Sequence, residues 1–563
     1  MAILKIKNLS FTYNGAENKA LDNINLEIER GDFVLLCGES GCGKTTLLKL
    51  MKKQLRPEGR LEGGIYYNGK EINELEERIS VTDIGYVMQN PDNQIVTDKV
   101  WHELAFGLES LGEKTDVIRR KVAEISGFFG IGDWYRKKTS ELSGGQKQLL
   151  NLASIMVMQP QILILDEPTS QLDPIAAGDF IDALKKINEE LGITVIMAEH
   201  RLEEVFPAAS KAVLMNKAEI YMCDTPRNVG RKLSAEENPH KMNLGLPSSV
   251  RIFNAVKGTG ECPLTVREGK EFISSNFNCD IKVLPFEKPD YENRRAAIEI
   301  KEGFFRYERE TPDVLSGLDL KVYENEFLCI LGGNGAGKTT LLKIMSGLKR
   351  LYKGKLRIWD KKIKEYNGNS LYRNNISCLP QNPQSLFVKS TVYDDLFDIT
   401  RILEYKKEEV EEKIDNIAEK LGIKHLFKSH PYDLSGGEQQ KAAFAKILLM
   451  EPKIILLDEP TKGMDAYSKQ TLAGILKGLL KEGKTIVTVT HDIEFAAEYA
   501  DRCAMFFDGQ IVSADNRVDF FAGNSYYTTA ASRITRHMFE NAVTVEMAAE
   551  ICRINGYKGC GGK

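Results

Sequence analysis

Along this 563-residue chain the apolar positions follow two rhythms, and both occur twice. Leu4-Lys5-Ile6-Lys7 and Ile298-Glu299-Ile300-Lys301 alternate apolar with polar, which predicts strands covered on one face. Phe33-Val34-Leu35-Leu36-Cys37 and Phe327-Leu328-Cys329-Ile330-Leu331 are unbroken apolar runs that lead into glycine-rich loops, and the residues from Thr45 and Thr339 onward read as helix. Ile162 to Leu165, Thr194 to Met197, Ile454 to Leu457 and Thr485 to Val489 are further continuous runs, which suit strands covered on both faces of a parallel sheet. Strands alternating with helices predict an α/β core in each half.

The same ordered set of polar signatures sits on both halves. GESGCGKTT, from Gly38 to Thr46, is followed by Gln89, LSGGQ from Leu142 to Gln146, ILILDE from Ile162 to Glu167, and His200. GGNGAGKTT, from Gly332 to Thr340, is followed by Gln381, LSGGE from Leu434 to Glu438, IILLDE from Ile454 to Glu459, and His491. Lys44 and Lys338 lie 294 residues apart, Ser143 and Ser435 292, and His200 and His491 291. Solenoid units repeat every 20–50 residues or so, so this repeat predicts two complete domains. The expected division is 1–225, a linker over 226–295, a second domain over 296–517, and a tail over 518–563.

Between these halves Pro226, Gly230, Pro239, Gly245 and Pro247 break the pattern. Thr265-Val266-Arg267-Glu268 reads as a capping box that opens a short helix through Ile273, so the linker is expected to be a small folded appendage. The tail holds one more helical stretch, Val545 to Ile554, ended by Gly556.

Composition narrows the classes. The chain is 42% hydrophobic and 28% charged, with a formal net charge of -4, which argues against general binding to nucleic acid. The longest apolar runs are about one strand long, whereas a membrane-spanning helix needs roughly 20 such residues. The start, MAILKIKNLSF, lacks the basic and apolar stretches of a secretory signal. A membrane role would therefore come through a partner. The ten cysteines show no CxxC pair, which fits a reducing cytoplasm without a disulfide framework. Cys42 is the exception of interest: it lies at a helix N-terminus, where a thiol is expected to be acidified.

The glycine loops match GxxxxGK[ST] at Gly38, Gly43, Lys44 and Thr45, and at Gly332, Gly337, Lys338 and Thr339. In such a loop backbone N–H groups cradle phosphate oxygens, so Glu39, Ser40, Gly41, Cys42 and Thr46, and Gly333, Asn334, Gly335, Ala336 and Thr340, would line the cradle. Lys44 and Lys338 should reach the β- and γ-phosphates, and Thr45 and Thr339 should ligate magnesium. Asp166 and Asp458 suit contact with that ion, and Glu167 and Glu459 are placed to polarise a water. Taken alone, an acidic pair at a strand end is as readily a solvated pair. Ser143 and Ser435 stand at N-cap positions, followed by Gly144-Gly145 and Gly436-Gly437, a second anion-binding helix start in each half.

Together these residues resemble the ATP-binding cassette ATPase family over roughly 1–220 and 296–515. The resemblance implies two P-loop NTPase nucleotide-binding domains in tandem, each α/β with a mainly parallel sheet core, an antiparallel β region and a helical subdomain. It also implies a head-to-tail pair of cassettes holding two ATP molecules, with Lys44 facing Ser435-Gly436-Gly437 and Lys338 facing Ser143-Gly144-Gly145. Tyr13 and Tyr307 match the family's adenine-stacking aromatic, though by pattern alone they read as core-strand tyrosines. Gln89 and Gln381 match its magnesium- and water-sensing glutamine, and His200 and His491 its γ-phosphate switch histidine. Asp173 and Asp465 match the aspartate of the following loop, whose preceding residues vary from the usual pattern.

Gln89 to Glu109, QNPDNQIVTDKVWHELAFGLE, resembles the ATPases of energy-coupling factor importers; Gln381-Asn382-Pro383-Gln384 is a looser match. The implication is a fused, two-cassette ATPase at the cytoplasmic face of a membrane. It would drive uptake of a vitamin or metal ion with a transmembrane scaffold protein and a separate substrate-binding membrane protein. Asn90 to Gly107 would be the docking surface, or else an ordinary amphipathic helix packed on its own domain. The alternative is a soluble tandem-cassette ATPase acting on ribosomes. Those proteins carry long charged helical linkers, and the recycling branch carries an N-terminal cysteine cluster; this chain has no cysteine before Cys37.

Overall fold

Alternation and continuous apolar runs produce two different sheets in each half. The computed structural model describes residues 2–233, 241–277, 286, 291, 293–401 and 407–556; Pro239 and the last residues of the tail lie outside them. The chain divides into two units, one built mainly on Met1–Asn254 and the other mainly on Val266–Met464 and Ser468–Lys563.

In the first unit the alternating strand Ala2–Tyr13 pairs antiparallel with Leu21–Glu29 on one side and Gly59–Tyr67 on the other, and Lys70–Glu71 completes a four-stranded sheet. The continuous runs make a six-stranded sheet in the order Glu219–Asp224, Lys211–Asn216, Phe33–Gly38, Thr194–Ala198, Ile162–Asp166, Ile84–Val87. Its last five strands are parallel, and the first is an antiparallel edge. Leu36, Leu47, Ile164 and Ile196 are among the buried residues that join the two sheets in one core. A second core, with Leu104, Leu108, Ile131 and Leu150, holds a lobe of the helices Val100–Ser110, Thr115–Phe128 and Gly144–Met156.

The second unit repeats the plan. Its four-stranded sheet runs Leu315–Tyr323, Ala296–Phe305, Lys353–Ile358, Lys361–Lys362. Its six-stranded sheet runs Ile376–Leu379, Ile454–Asp458, Thr485–Thr490, Phe327–Leu331, Arg502–Phe507, Gln510–Asn516. The expected α/β cassette architecture is therefore present twice.

The residues read as one linker make two sets of contacts. Pro226–Lys232 packs on the strands Lys211–Asn216 and Glu219–Asp224 of the first unit, and Ser248 donates through N and Oγ to Glu203 Oε2 at 2.8 and 3.1 Å. Val266–Asn276, the helix expected from its capping box, packs instead on Ala530–Thr535 of the tail, with Phe277 edge-on to Phe539 at 5.6 Å. The tail contains three helices among the described residues: Arg517–Gly523, Ala530–Thr535 and the expected Val545–Ile554.

The first unit also carries an apolar cleft of about 600 Å³ beside its helical lobe, lined by Val96, Phe106, Gly107, Leu111, Ile155 and Met158. Val96 is 68% exposed there and Phe106 39%.

Candidate active site

In the first unit the buried strand Phe33–Gly38 hands the chain to a loop that curls into the helix Lys44–Leu50. Two glycines of that loop are required before any ligand is considered. A Cβ on Gly38 would come 2.5 Å from the Met215 carbonyl oxygen of the neighbouring strand. Gly43 has φ 104°, and a Cβ there would come 2.5 Å from the Ala20 carbonyl oxygen. Phosphate access is thus not the first reason for these glycines. The second unit repeats the arrangement, with Gly332 against Phe506 and Gly337 at φ 111°.

Each loop folds round its own lysine. Lys44 Nζ donates to the carbonyl oxygens of Gly38 and Glu39 at 2.9 and 3.0 Å; Lys338 Nζ donates to those of Gly332 and Gly333 at 2.8 and 2.9 Å. Both side chains are buried, which holds an ammonium at the centre of a ring of loop backbone. The remaining loop residues, Ser40, Gly41, Asn334, Gly335 and Ala336, complete the two turns.

The next two threonines connect the loop to opposite walls. Thr45 Oγ1 donates to Asp166 Oδ1 at 2.9 Å, and Thr339 Oγ1 to Asp458 Oδ1 at 3.1 Å. Thr46 and Thr340 each share a 2.9 Å hydrogen bond with a tyrosine hydroxyl, that of Tyr13 and Tyr307. Those tyrosines are not core residues: Tyr13 is 38% exposed and Tyr307 52%. Each ring packs near-perpendicular to that of the phenylalanine two residues before it, at 5.0 and 5.1 Å, and Lys349 Nζ lies 5.5 Å from the centre of the Tyr307 ring.

Asp166 and Asp458 end fully buried strands. Burial raises both carboxyls above the usual range, and the neighbouring Glu167 or Glu459 charge adds to it. A buried carboxylate beside a hydroxyl is a hard-oxygen set that gains from a divalent cation, so the residues fit magnesium.

The glutamates that follow have positive φ, 45° for Glu167 and 50° for Glu459, with their amides donating to Ala198 O at 3.0 Å and Val489 O at 2.9 Å. A non-glycine residue in this region stores strain of order 1–3 kcal/mol, and here it turns the carboxylate off the strand end towards the loop. His200 Nε2 lies 2.8 Å from Glu167 Oε1, and His491 Nδ1 lies 2.8 Å from Glu459 Oε2. Burial works to raise both glutamates, but the histidine and the loop lysine outweigh it and hold them below the usual range. Gln89 Nε2 donates to Glu167 Oε2 at 2.8 Å. Gln381 holds the matching exposed position after Ile376–Leu379.

The serine turns remain local. Ser143 Oγ accepts from the Gln146 amide at 3.2 Å while Gln146 Oε1 accepts from the Ser143 amide at 3.0 Å. Ser435 N and Oγ donate to Glu438 Oε2 at 2.9 and 2.7 Å. Gly144, Gly145, Gly436 and Gly437 begin the two helices. Ser143 and Ser435 are both exposed.

One expectation is corrected. Cys42 is buried, and burial pushes its thiol up, ahead of the opposing pull of Lys44. Two residues were missed. Tyr86 OH donates to Asp166 Oδ2 at 3.2 Å. Glu199, 2% exposed, takes the amides of Thr169 and His200 at 3.0 and 2.9 Å. Their signal was available as places where the halves differ, with Cys378 and Thr490 in the corresponding positions.

Residues 21–170 and 315–462 match the protein family described as ABC transporter. A Bacillus anthracis protein, provisionally named an ABC transporter ATP-binding protein, is 39% identical over 98% of this chain and 99% of its own. A Methanosarcina acetivorans protein with the same provisional name is 32% identical over 91% of this chain and 84% of its own. Among solved structures, an archaeal ribosome recycling factor, in complex with a ribosomal stalk protein, aligns over 92% of this chain and 91% of its own. That match has a TM-score of 0.56 at 20% identity.

Proposed function

Because the chain belongs to the ABC transporter family and is an ABC-type ATPase, we propose that it powers a membrane importer of the energy-coupling factor type, for a vitamin or a metal ion. Its partners would be a transmembrane scaffold protein and a separate substrate-binding membrane protein, with the chain peripheral at the cytoplasmic face.

The observation that supports hydrolysis is the converging set in each half: a loop lysine, a threonine–aspartate pair, and a strained glutamate fixed by a histidine. In this reading the adenine stacks on Tyr13 or Tyr307, and the phosphates enter the loops at Gly38 to Thr46 and Gly332 to Thr340. Lys44 and Lys338 turn from their carbonyl partners to the β- and γ-phosphates. Thr45 with Asp166, and Thr339 with Asp458, would hold magnesium, whose role is to neutralise developing charge on the phosphate oxygens; Gln89 and Gln381 would stand beside it. Glu167 and Glu459 take the proton from the attacking water, a role worth on the order of 10²–10⁴-fold in rate. His200 and His491 orient those glutamates and approach the γ-phosphate.

The serine turns suit the far side of such a site. They are exposed, and their caps leave the N-terminal amides of Gly144–Met156 and Gly436–Leu448 directed outward as anion donors. ATP binding would then draw the cassettes together in proportion to its preference for the joined state, and hydrolysis would release them.

The importer assignment is supported by the resemblance of Gln89 to Glu109 and by the position of that run on the exposed apolar cleft of the first unit. Likeness to the ribosome recycling factor, at 20% identity, speaks to the fold alone. Affinity purification of the full chain from detergent-solubilised membranes separates the two readings. Integral membrane proteins should co-purify in stoichiometric amounts; ribosomal proteins in their place would overturn the importer assignment.

A further inference from the structure

We propose that the two hydrolysis sites are unequal by construction: Tyr86 and Glu199 act as positioning residues that hold the first site ready, and the second site has no equivalent of either. The proposal rests on Glu167 and Glu459 being the hydrolytic glutamates.

The repeat allows a position-by-position comparison. Tyr86 pairs in register with Ile164, two residues before Asp166, and Cys378 pairs with Leu456, two residues before Asp458. Glu199 and Thr490 immediately precede His200 and His491. The substitutions are therefore at matched points of one architecture.

In the first unit Asp166 is fixed through both oxygens. Oδ1 accepts from Thr45 and Oδ2 from the Tyr86 hydroxyl. Glu199 acts as a two-sided brace. Its Oε1 accepts from the amide and hydroxyl of Thr169, at 3.0 and 2.5 Å, and its Oε2 from the amides of His200 and Arg201, at 2.9 and 3.4 Å. A carboxylate this deeply buried is tolerable only when such donors satisfy it, and the same bonds fix what they touch. The segment after Glu167 and the segment carrying His200 are thereby tied together. Glu167 itself keeps Gln89 and His200 as its side-chain partners.

The second unit spends its donors differently. Thr490 is too short to reach across; its hydroxyl donates to Glu459 Oε2 at 3.4 Å, and the His491 amide reaches the same oxygen at 3.3 Å. The His491 amide thus falls on the glutamate, and Thr490 Oγ1 accepts only the Asp492 amide, at 3.0 Å, with no tie to the segment after Glu459 among the described residues. Asp458 has Thr339 on one oxygen and, in place of the tyrosine hydroxyl, the half-buried Cys378 thiol nearby, at best a weak donor. Before Glu459 takes a proton it must leave the Thr490 hydroxyl and the His491 amide, and Glu167 must likewise leave the Gln89 side-chain amide, so the difference between the sites lies in the bracing of Asp166 and of the His200 segment. Partners that orient a site's working residues are worth about 10–100-fold in activity, so the first site should be the faster by about 10-fold.

The test uses the purified full chain. Glu459→Gln leaves hydrolysis to the first site and Glu167→Gln leaves it to the second, with ATP still bound at both. We expect the first-site protein to turn over about 10-fold faster than the second-site protein. Placing Glu199→Thr or Tyr86→Phe in the first-site protein should lower kcat towards the second-site value with little change in KM for ATP. Placing Thr490→Glu in the second-site protein should raise kcat, a gain that misfolding cannot mimic. Equal rates for the two single-site proteins, unmoved by Glu199→Thr and Thr490→Glu, would overturn the inference while leaving the glutamate assignment intact. Wild-type hydrolysis in both glutamine variants would instead overturn that assignment and this inference with it.

Discussion

Asp166 and Glu167 are adjacent, both buried, and shifted in opposite directions, which gives each a different test. Asp166 has a folded-state pKa above its unfolded one, so its ionisation opposes folding: stability is lost as pH rises from the unfolded value through the folded one, and the loss is complete above it. Asp166→Asn keeps the shape and the oxygen that Thr45 addresses. It should raise the thermal midpoint of the nucleotide-free chain, by roughly 2–4 °C for each kcal/mol relieved, while removing ATP hydrolysis. Calorimetry beside a phosphate-release assay checks both halves; a fall in the midpoint would contradict the electrostatic reading. Glu167 is depressed, so its bond to His200 contributes stability that is complete above the unfolded carboxylate range and lost as pH falls through the folded value. His200→Ala should therefore flatten the acid limb of the stability profile, which chemical denaturation between pH 3 and pH 6 (roughly that range) would read out.

At this scale the positions of the glycine loops and acidic strand ends were legible, because those motifs fix residue types at short, countable spacings. Tyr86 and Glu199 act across folded distances, on Asp166 and on Thr169, and no local pattern announces them. Cys42 was misjudged for the same reason. A helix start is visible in sequence, but the burial that outweighs it is a property of the packed core.

Among elements, the informative contrast is between the helices Val100–Ser110 and Val392–Arg401. The first exposes Phe106 to the apolar cleft; in the second the matching position is Asp398, ion-paired to Lys389 at 3.3 Å. The shared fold therefore accepts an aspartate at this point. Phe106→Asp should leave the chain folded and hydrolysing ATP, yet sharply reduce recovery of the membrane partners in the affinity purification. Undiminished recovery would show that the cleft is not where they dock.

Helices with capping signals or a long apolar stripe were legible from their own residues: Val266–Asn276 and Val545–Ile554 lie where their sequences place them. Arg517–Gly523 and Ala530–Thr535 were not, being seven and six residues long. Isolated helices that short are marginal, so tertiary contacts decide them. One such contact is the Ala530 amide donating to Glu494 Oε1 at 2.8 Å. The division of the linker between the two units has the same origin, since an amphipathic helix displays its apolar face but not its partner.

For the molecule as a whole, the two-fold repeat was the most legible feature, and it carried the fold class directly because each half repeats both sheets and the helical lobe. What the repeat leaves open is why one chain holds two sites. In the paired mechanism proposed above they are mutually dependent: each ATP needs a loop lysine from one cassette and a serine turn from the other, so nucleotide at one site alone does not produce working closure.

Steady-state ATP hydrolysis by the purified full chain carrying Lys44→Ala, and separately Lys338→Ala, addresses that claim most directly. Removing either lysine should weaken ATP binding at one site and drop total turnover far below half, by about 10-fold or more if closure is lost. If the two variants instead keep shares of activity that sum to the wild-type rate, each cassette works alone and the paired mechanism is wrong.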